Sequence, residues 1–304
     1  MDETLKKALE EVFPYIEKGN YKAAVDHLSL HSFFKPLNAD QCVEKALELL
    51  STQEKEKLTW AAVLLHIALK RRPHHFKALY NLGVVMTERG NIPHALKSLK
   101  AALQLNPTDC DTWIALGNVY SDKSEYKEAE KAYLKALELN PKSARAHRNL
   151  ALSLIRAADV FRAHKKSEDY IKQALSEANQ AIHLDPSDPD NYFMLAWARG
   201  HAGDIGGFFD AQRHAVSMNW DLSGRALDDA KRLVRILFSA KNFEAVGQLL
   251  DKLDGRCEDP DDPETVYNIA KRTVLKTGKV VYEIQREDSK GNWVLADSQT
   301  GELN

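Results

Sequence analysis

The sequence predicts an all-α protein, an α-solenoid of antiparallel helix pairs ended by a small C-terminal β-hairpin. Three observations predict it. Pro73, Pro107 and Pro141 recur every 34 residues, and a fixed period of 20 to 50 residues is the signature of a repeat array. Only 14 Gly and 10 Pro occur among 304 residues, too few for a many-stranded fold rich in turns. The hydrophobic share is 44%, enough for a sizeable core over about two domains or one elongated array.

The period carries side chains with it. In the segment from Asp111 to Pro141, the residues Trp113, Leu116, Gly117, Tyr120, Ala129, Tyr133, Ala136 and Pro141 follow the pattern W-x2-L-G-x2-Y, A-x3-F/Y, A, P. Moving back one period gives Leu79, Leu82, Gly83, Met86, Ala95, Leu99, Ala102 and Pro107 in the same places. Each unit reads as two amphipathic helices. Gly83, Gly117, Ala95 and Ala129 fall where the two cross closely, so a large side chain there forces them apart. Gly90-Asn91 supplies the turn inside its unit, and Asn106-Pro107 and Asn140-Pro141 stop the second helix, because the residue before Pro is biased out of the α region.

These positions resemble the tetratricopeptide repeat, which implies a right-handed superhelix. The units 76–109, 110–143, 144–188 and 189–222 match best, and about seven helix pairs are expected over 1–255. Upstream, Gly19-Asn20-Tyr21 and Ala23-Ala24 mark a pair ending at Pro36. Downstream, Tyr192, Leu195, Ala196 and Gly203-Asp204 mark another, with Trp220 where Pro is expected, and Leu227 to Leu253 fits a degenerate last pair around Asn242-Phe243.

Pro141 to Pro186 is 45 residues, an excess of eleven that falls in a stretch without Pro or Gly. Helical periodicity through it predicts a longer helical hairpin, either a solvated insertion or, through Val160 and Phe161, a contact surface. After Leu253 comes an acidic, proline-bearing stretch with Glu258, Asp259, Asp261, Asp262 and Glu264, expected as a linker. A helix is expected over 266–278. Val281, Tyr282 and Ile284, then Trp293, Val294 and Leu295, flank Ser289-Lys290-Gly291-Asn292 as a β-hairpin. An isolated hairpin is marginal in water, so it should pack on the last helices or on a partner. The expected second domain is therefore 256–304.

Charge and motifs narrow the function. Lys plus Arg total 42 against 44 Asp plus Glu, a net charge of −2, which disfavours non-specific binding to nucleic acid or to an anionic membrane. Three cysteines without C-x-x-C point away from disulfides and thiolate zinc and toward a reducing, cytoplasmic setting. No run reaches the roughly 20 apolar residues of a membrane span. Phosphate-loop, dinucleotide, nucleophile-elbow and zinc-protease motifs are missing, so no cofactor and no enzymatic activity are expected. Gly203 to Gly207 reads as a turn. His27 and His31 lack the further ligands of a metal site. Asp185, Asp188 and Asp190 suit helix capping better than calcium. His74-His75 is expected in solvent.

Function is then expected on the surface of the array. The resemblance implies that first helices line a groove through the second, fifth, sixth, ninth and thirteenth positions of each unit. These are Lys77, Tyr80, Asn81, Val84 and Glu88; then Asp111, Ile114, Ala115, Asn118 and Asp122; then Arg145, Arg148, Asn149, Leu152 and Arg156. A side-chain amide both donates and accepts, so Asn81, Asn118 and Asn149 suit an extended peptide backbone. Arg145, Arg148 and Arg156 suit carboxylates, or else form a solvated charged face. The clamp by which chaperone co-factors hold an acidic tail is matched too poorly to be expected. The reading is an interaction scaffold or adaptor binding a peptide or helix of another protein, acidic or extended; the alternative is a chaperone adaptor or assembly factor using another face.

Overall fold

The computed structural model describes residues 7, 10–17, 20–30, 37–51, 55–161, 166–219, 223–253, 256–259, 262–274, 279–287 and 293–297. The chain forms two compact units, Met1–Pro141 and Lys142–Asn304. The first contains α1 (Phe13–Glu17), α2 (Tyr21–Leu30), α3 (Ala39–Leu50), α4 (Lys55–Arg71), α5 (Phe76–Glu88), α6 (Ile92–Leu105), α7 (Cys110–Asp122) and α8 (Tyr126–Leu139). The second contains α9 (Ala144–Val160), α10 (Lys166–Leu184), α11 (Pro189–His201), α12 (Ile205–Met218), α13 (Ser223–Ser239) and α14 (Phe243–Lys252), followed by β1 (Arg256–Asp259), β2 (Asp262–Val274), β3 (Val280–Glu287) and β4 (Trp293–Asp297). The helical fold expected from the 34-residue period is the fold observed.

Local chemistry sets the ends of the helices. Side chains of Asn38, His75, Asn91, Asp109, Ser143, Asp188, Asp204 and Asn242 each accept a backbone N–H of the helix that follows, satisfying donors that have no intrahelical partner. Asn106 and Asn140 leave the helical region at φ −139°, ψ 88°, as the following prolines require. Inside the pairs, Gly90 (φ 71°), Ser124 (φ 62°), Gly203 (φ 79°) and Lys241 (φ 56°) all take the left-handed conformation just ahead of the residue that begins the next helix.

The two helices of a pair meet at the small residues. A Cβ placed on Gly83 would stand 2.5 Å from Leu99 Cγ, and one on Gly117 would stand 2.6 Å from Tyr133 Cε1. Leu99 and Tyr133 are fully enclosed, each burial being worth roughly 1.5–3 kcal/mol. Ala95 and Ala129 are wholly buried as well.

The C-terminal region corrects the sequence reading. Of the helix expected over 266–278, residues 266–274 lie in strand β2 and 275–278 lie outside the described residues, and the expected acidic linker contributes β1 and the start of β2. Val266, Tyr267, Ile269, Thr273 and Val274 are strand formers, and β2 is paired along its length between β1 and β3. The expected hairpin strands are present as β3 and β4, paired antiparallel with Gln285 opposite Leu295. The residues 288–292 between them lie outside the described set. The result is a four-stranded antiparallel sheet of order β1-β2-β3-β4. It packs on the last helix pair: Tyr267 and Phe238 rings lie 5.4 Å apart, and Tyr282 fills the space beside Gly247.

Candidate functional site

In the first unit the candidate face is built on α5 and α7, the first helices of neighbouring pairs, which touch each other. Lys77 is exposed, and Tyr80, Asn81 and Asn118 are half-buried. Asn81 Nδ2 donates to the Lys77 carbonyl at 2.7 Å. Asn118 Oδ1 accepts from the Tyr133 hydroxyl at 2.7 Å. Both amides are thereby held in one orientation by their own helix pair. Ile114 and Ala115, expected on the groove, are buried instead, because α7 turns them into the contact between helices. Glu88 is raised above the usual carboxylate range by its partial burial.

In the second unit the candidates lie along α9. Arg145 and Arg156 are exposed, and Asn149 and Leu152 are half-buried. Arg148 behaves differently. Its guanidinium pairs with Asp188, lies 3.4 Å from Asn191 Oδ1 and 3.7 Å from Asp190 Oδ2, and is only 19% exposed. Asp190 also takes Arg225 at 2.6 Å, and Arg225 stacks 4.2 Å over the Phe193 ring. Arg148 thus belongs to an internal chain of alternating charges. Asp229 continues it, 3.9 Å from Arg225; burial raises its carboxyl, with Arg225 and a hydrogen bond from Trp197 opposing.

The other sequence candidates also find their places. Asp188 caps α11, whereas Asp185 accepts the Ser187 amide at 3.1 Å and hydroxyl at 2.7 Å, which holds its carboxyl below the usual range. His75, expected in solvent, is buried: it caps α5 and places Nε2 2.8 Å from Asp40 Oδ1. His74 is exposed. His27 lies 3.4 Å from Glu11, and His31 is outside the described residues. Among the described residues no group of His, Cys, Asp and Glu is arranged to hold a metal ion, and no helix is long and apolar enough to cross a membrane. All three cysteines are free thiols. Arg71 donates to Cys42 Sγ at 3.1 Å, yet burial dominates and pushes that thiol up.

Sequence reasoning missed two features. One is a cleft of about 550 Å³ floored by Trp113, Leu116 and Tyr120 and rimmed by Lys100 and Lys131; Trp113 and Tyr120 look like repeat signature residues and gave no sign of their partial exposure. The other is a cavity around His201, whose only sequence signal is the eleven-residue excess of the preceding repeat.

Known proteins share the helical-repeat fold. The tetratricopeptide repeat family matches residues 76–109 and 110–143. A thermophilic tetratricopeptide-repeat protein of Thermus thermophilus superposes with TM-score 0.53 at 18% identity, over 63% of this chain and 98% of its own. MamA from Desulfovibrio magneticus RS-1 gives TM-score 0.43 at 21% identity, over 62% and 98% of the two chains. YrrB, described as a repeat protein with an unusual peptide-binding site, gives 0.44 at 20%, over 62% and 90%. No curated protein sequence matches the chain. Residues 76–143 carry two tetratricopeptide repeats, and the helical fold around them is that of a tetratricopeptide-repeat array.

Proposed function

We propose that this protein binds an extended segment of a partner protein along the first helices of its repeats and acts as an adaptor. One observation carries the reading. On the first unit, Asn81 and Asn118 stand half-buried on adjoining helices, each with its amide already oriented by a 2.7 Å intramolecular bond. Side chains ordered before binding lose less freedom on it, and amides complement peptide groups whatever the peptide's sequence. Lys77 and Tyr80 complete that face. On the second unit, Arg145, Asn149, Leu152 and Arg156 form the corresponding face of α9. Arg148 is engaged with Asp188 and Asp190, so carboxylate reading on this face is assigned to the exposed Arg145 and Arg156. The ligand class of each face is an extended peptide, an acidic one for the second unit, and no catalytic step is assigned to either face. Three free thiols, two of them buried, suit the reducing cytoplasm.

A second reading places the partner in the aromatic cleft of Trp113, Tyr120 and Lys100. A peptide array probed with the full chain separates the two. The double change Asn81→Ala and Asn118→Ala should lower affinity for bound peptides about tenfold or more, because unpaired buried peptide groups cost roughly 1–3 kcal/mol each. Trp113→Ala should leave affinity unchanged. Reversal of that pattern moves the site to the cleft, and indifference to both changes overturns the proposal.

A further inference from the structure

The side of α7 turned away from the amide face carries a second surface. At about 100° per residue, Trp113, Leu116 and Tyr120 fall within about 60° of one another around the helix, and Asn118 stands at least about 140° from each. These three residues floor the cleft of about 550 Å³ that has α6 and α8 as its walls. Leu116 is buried, and Trp113 and Tyr120 are half-buried. Trp113 Nε1 donates to the Pro107 carbonyl at 2.9 Å. The polar edge of the indole is thereby satisfied, and the floor offers aromatic and aliphatic surface.

Cations stand on both walls. Lys131 and Lys135 of α8 hold Glu128 and Glu138 of the same helix at 2.7 Å and 2.6 Å, in exposed pairs that open at little cost. Lys100 of α6 is exposed as well but is placed differently. Its ammonium lies 5.8 Å from the centre of the Tyr120 ring and pairs with no carboxylate among the described residues. The Tyr120 hydroxyl has no hydrogen-bond partner among them either. Three lysines line the cleft against one carboxylate, Glu128. An apolar floor between basic walls complements a ligand that is apolar on one face and acidic along its flank.

We propose that this cleft is a second docking site, separate from the amide face, and that its occupant is an acidic amphipathic helix of a partner protein. Apolar side chains of that helix lie on Trp113, Leu116 and Tyr120, while an Asp or Glu on its flank pairs with Lys100 and accepts the Tyr120 hydroxyl. The lining comes from the sides of helices, whose backbone groups are bonded within those helices. An extended segment would leave its N–H and C=O groups to a few side chains, whereas a helix satisfies its own. The floor from Trp113 to Tyr120 is about 10 Å long, about two helical turns. A basic helix would meet like charge on both walls.

The test is NMR of the full chain at pH 7.5, following the Trp113 indole N–H, assigned with Trp113→Phe. The probe is acetyl-AALEALLEALEAA-amide, a helical peptide whose leucines share one face and whose glutamates share its flank. It should shift the signal saturably, and its counterpart acetyl-AALKALLKALKAA-amide should bind at least tenfold more weakly. Neither acetyl-AAAEAAAEAAEAA-amide, which lacks the leucines, nor acetyl-AALEALLEPLEAA-amide, which carries a helix-breaking proline, should give a saturable shift. Lys100→Glu should weaken the glutamate peptide at least tenfold with an unchanged melting temperature, since Lys100 is exposed. Asn81→Ala, on the amide face, should leave the shift as it was. No saturable shift, equal affinity for the glutamate and lysine peptides, or unchanged affinity in Lys100→Glu overturns the proposal. So does a matching loss in Asn81→Ala, which would merge the two surfaces into one site. Equal binding of the proline peptide would make the occupant an extended segment, and sodium octanoate binding as tightly as the glutamate peptide would make it a free apolar carboxylate. A shift on changing the protein concentration alone would place a second copy of the chain in the cleft. Each of these three results overturns the helical partner.

Discussion

The hydroxyl of Tyr133 donates to Asn118 Oδ1 at 2.7 Å, and the ring of the same tyrosine lies against Gly117 so closely that an added Cβ would stand 2.6 Å from Cε1. One side chain on α8 thus fills the crossing of the pair and orients an amide on α7. Tyr133 is 1% exposed, so its ring has little room to yield. Gly117→Ala should therefore cost about 1–3 kcal/mol through overpacking. Tyr133→Phe keeps the packing and should cost only about 0.5–1.5 kcal/mol for the lost bond. Urea titration reads both. If Gly117→Ala leaves the midpoint unmoved, the close crossing is not what keeps this position small.

The turn between α7 and α8 is less well made than its counterparts. Gly90-Asn91 and Gly203-Asp204 place glycine at positive φ and then a capping side chain, but the corresponding residues here are Ser124 at φ 62° and Glu125, which makes no capping bond. Left-handed backbone costs a non-glycine residue roughly 1 kcal/mol, and a missing cap costs a similar amount. The double change Ser124→Gly and Glu125→Asn should raise stability by about 1–2 kcal/mol. An unchanged or lower melting temperature would mean the strain is offset by contacts of Glu125, such as its 2.6 Å pairing with Lys123.

How far these features could be read from sequence depends on how local their causes are. Gly117, Ala129, Tyr133 and Pro141 were legible because helix crossing and helix termination act within one 34-residue unit. Arg148 was not legible as an internal residue: its partners Asp188 and Asp190 are about 40 positions away, and arginine spacing on one helix says nothing of what the next pair presents. His75 was misjudged because capping needs a side-chain acceptor, which a doublet of histidines does not advertise. Strand β2 carries Lys271, Arg272 and Ala270 among its β-branched residues, a mixture that alone permits a helix; pairing with β1 and β3 decides it. The His201 cavity arises from a difference in length between neighbouring pairs, so only the excess of eleven residues hinted at it.

Acid should weaken the first unit through His66. Its ring stacks on Tyr21, with centroids 4.9 Å apart and planes 7° apart, and Nδ1 donates to the Ala62 carbonyl at 2.7 Å. Burial pushes His66 below the ordinary imidazole value, outweighing the carbonyl bond that favours the charged form, and His94 adds to the lowering. In the unfolded chain the ring takes a proton near pH ~6.5; in the folded chain it does so only at lower pH. Below about 6.5 the unfolded state binds more protons, so this contribution to stability is complete above that pH and is lost as the pH falls through the folded value. His66→Phe retains the stack and removes the titration. The difference in urea midpoint between pH 7.5 and pH 5 should be smaller in the variant than in the parent, and equal differences would show that His66 is not a source of acid sensitivity.

The C-terminal sheet should act as the cap of the last helix pair. Repeat arrays need the apolar face of a terminal unit covered, and here Leu249 and Leu250 are wholly buried while Tyr267, Tyr282 and Ile284 of the sheet are 2%, 4% and 0% exposed. Gly247 lets Tyr282 approach α14, and Phe238 meets Phe243 and Tyr267 at 5.3 Å and 5.4 Å. The ion pairs at the rim, Arg272 with Asp251 and Lys279 with Glu244, are exposed and add little, so the apolar contacts should dominate. Tyr282→Ala should cost about 3 kcal/mol, as expected for emptying an enclosed aromatic site. Arg272→Ala should cost less than about 1 kcal/mol. A chain ended at residue 279 loses β3 and β4, exposes α14 and the edge of β2, and should melt lower and self-associate on size-exclusion chromatography. If that shortened chain stays monomeric with the parent's melting temperature, the sheet is not a cap, and its strands are better understood as an edge on which a partner's strand adds.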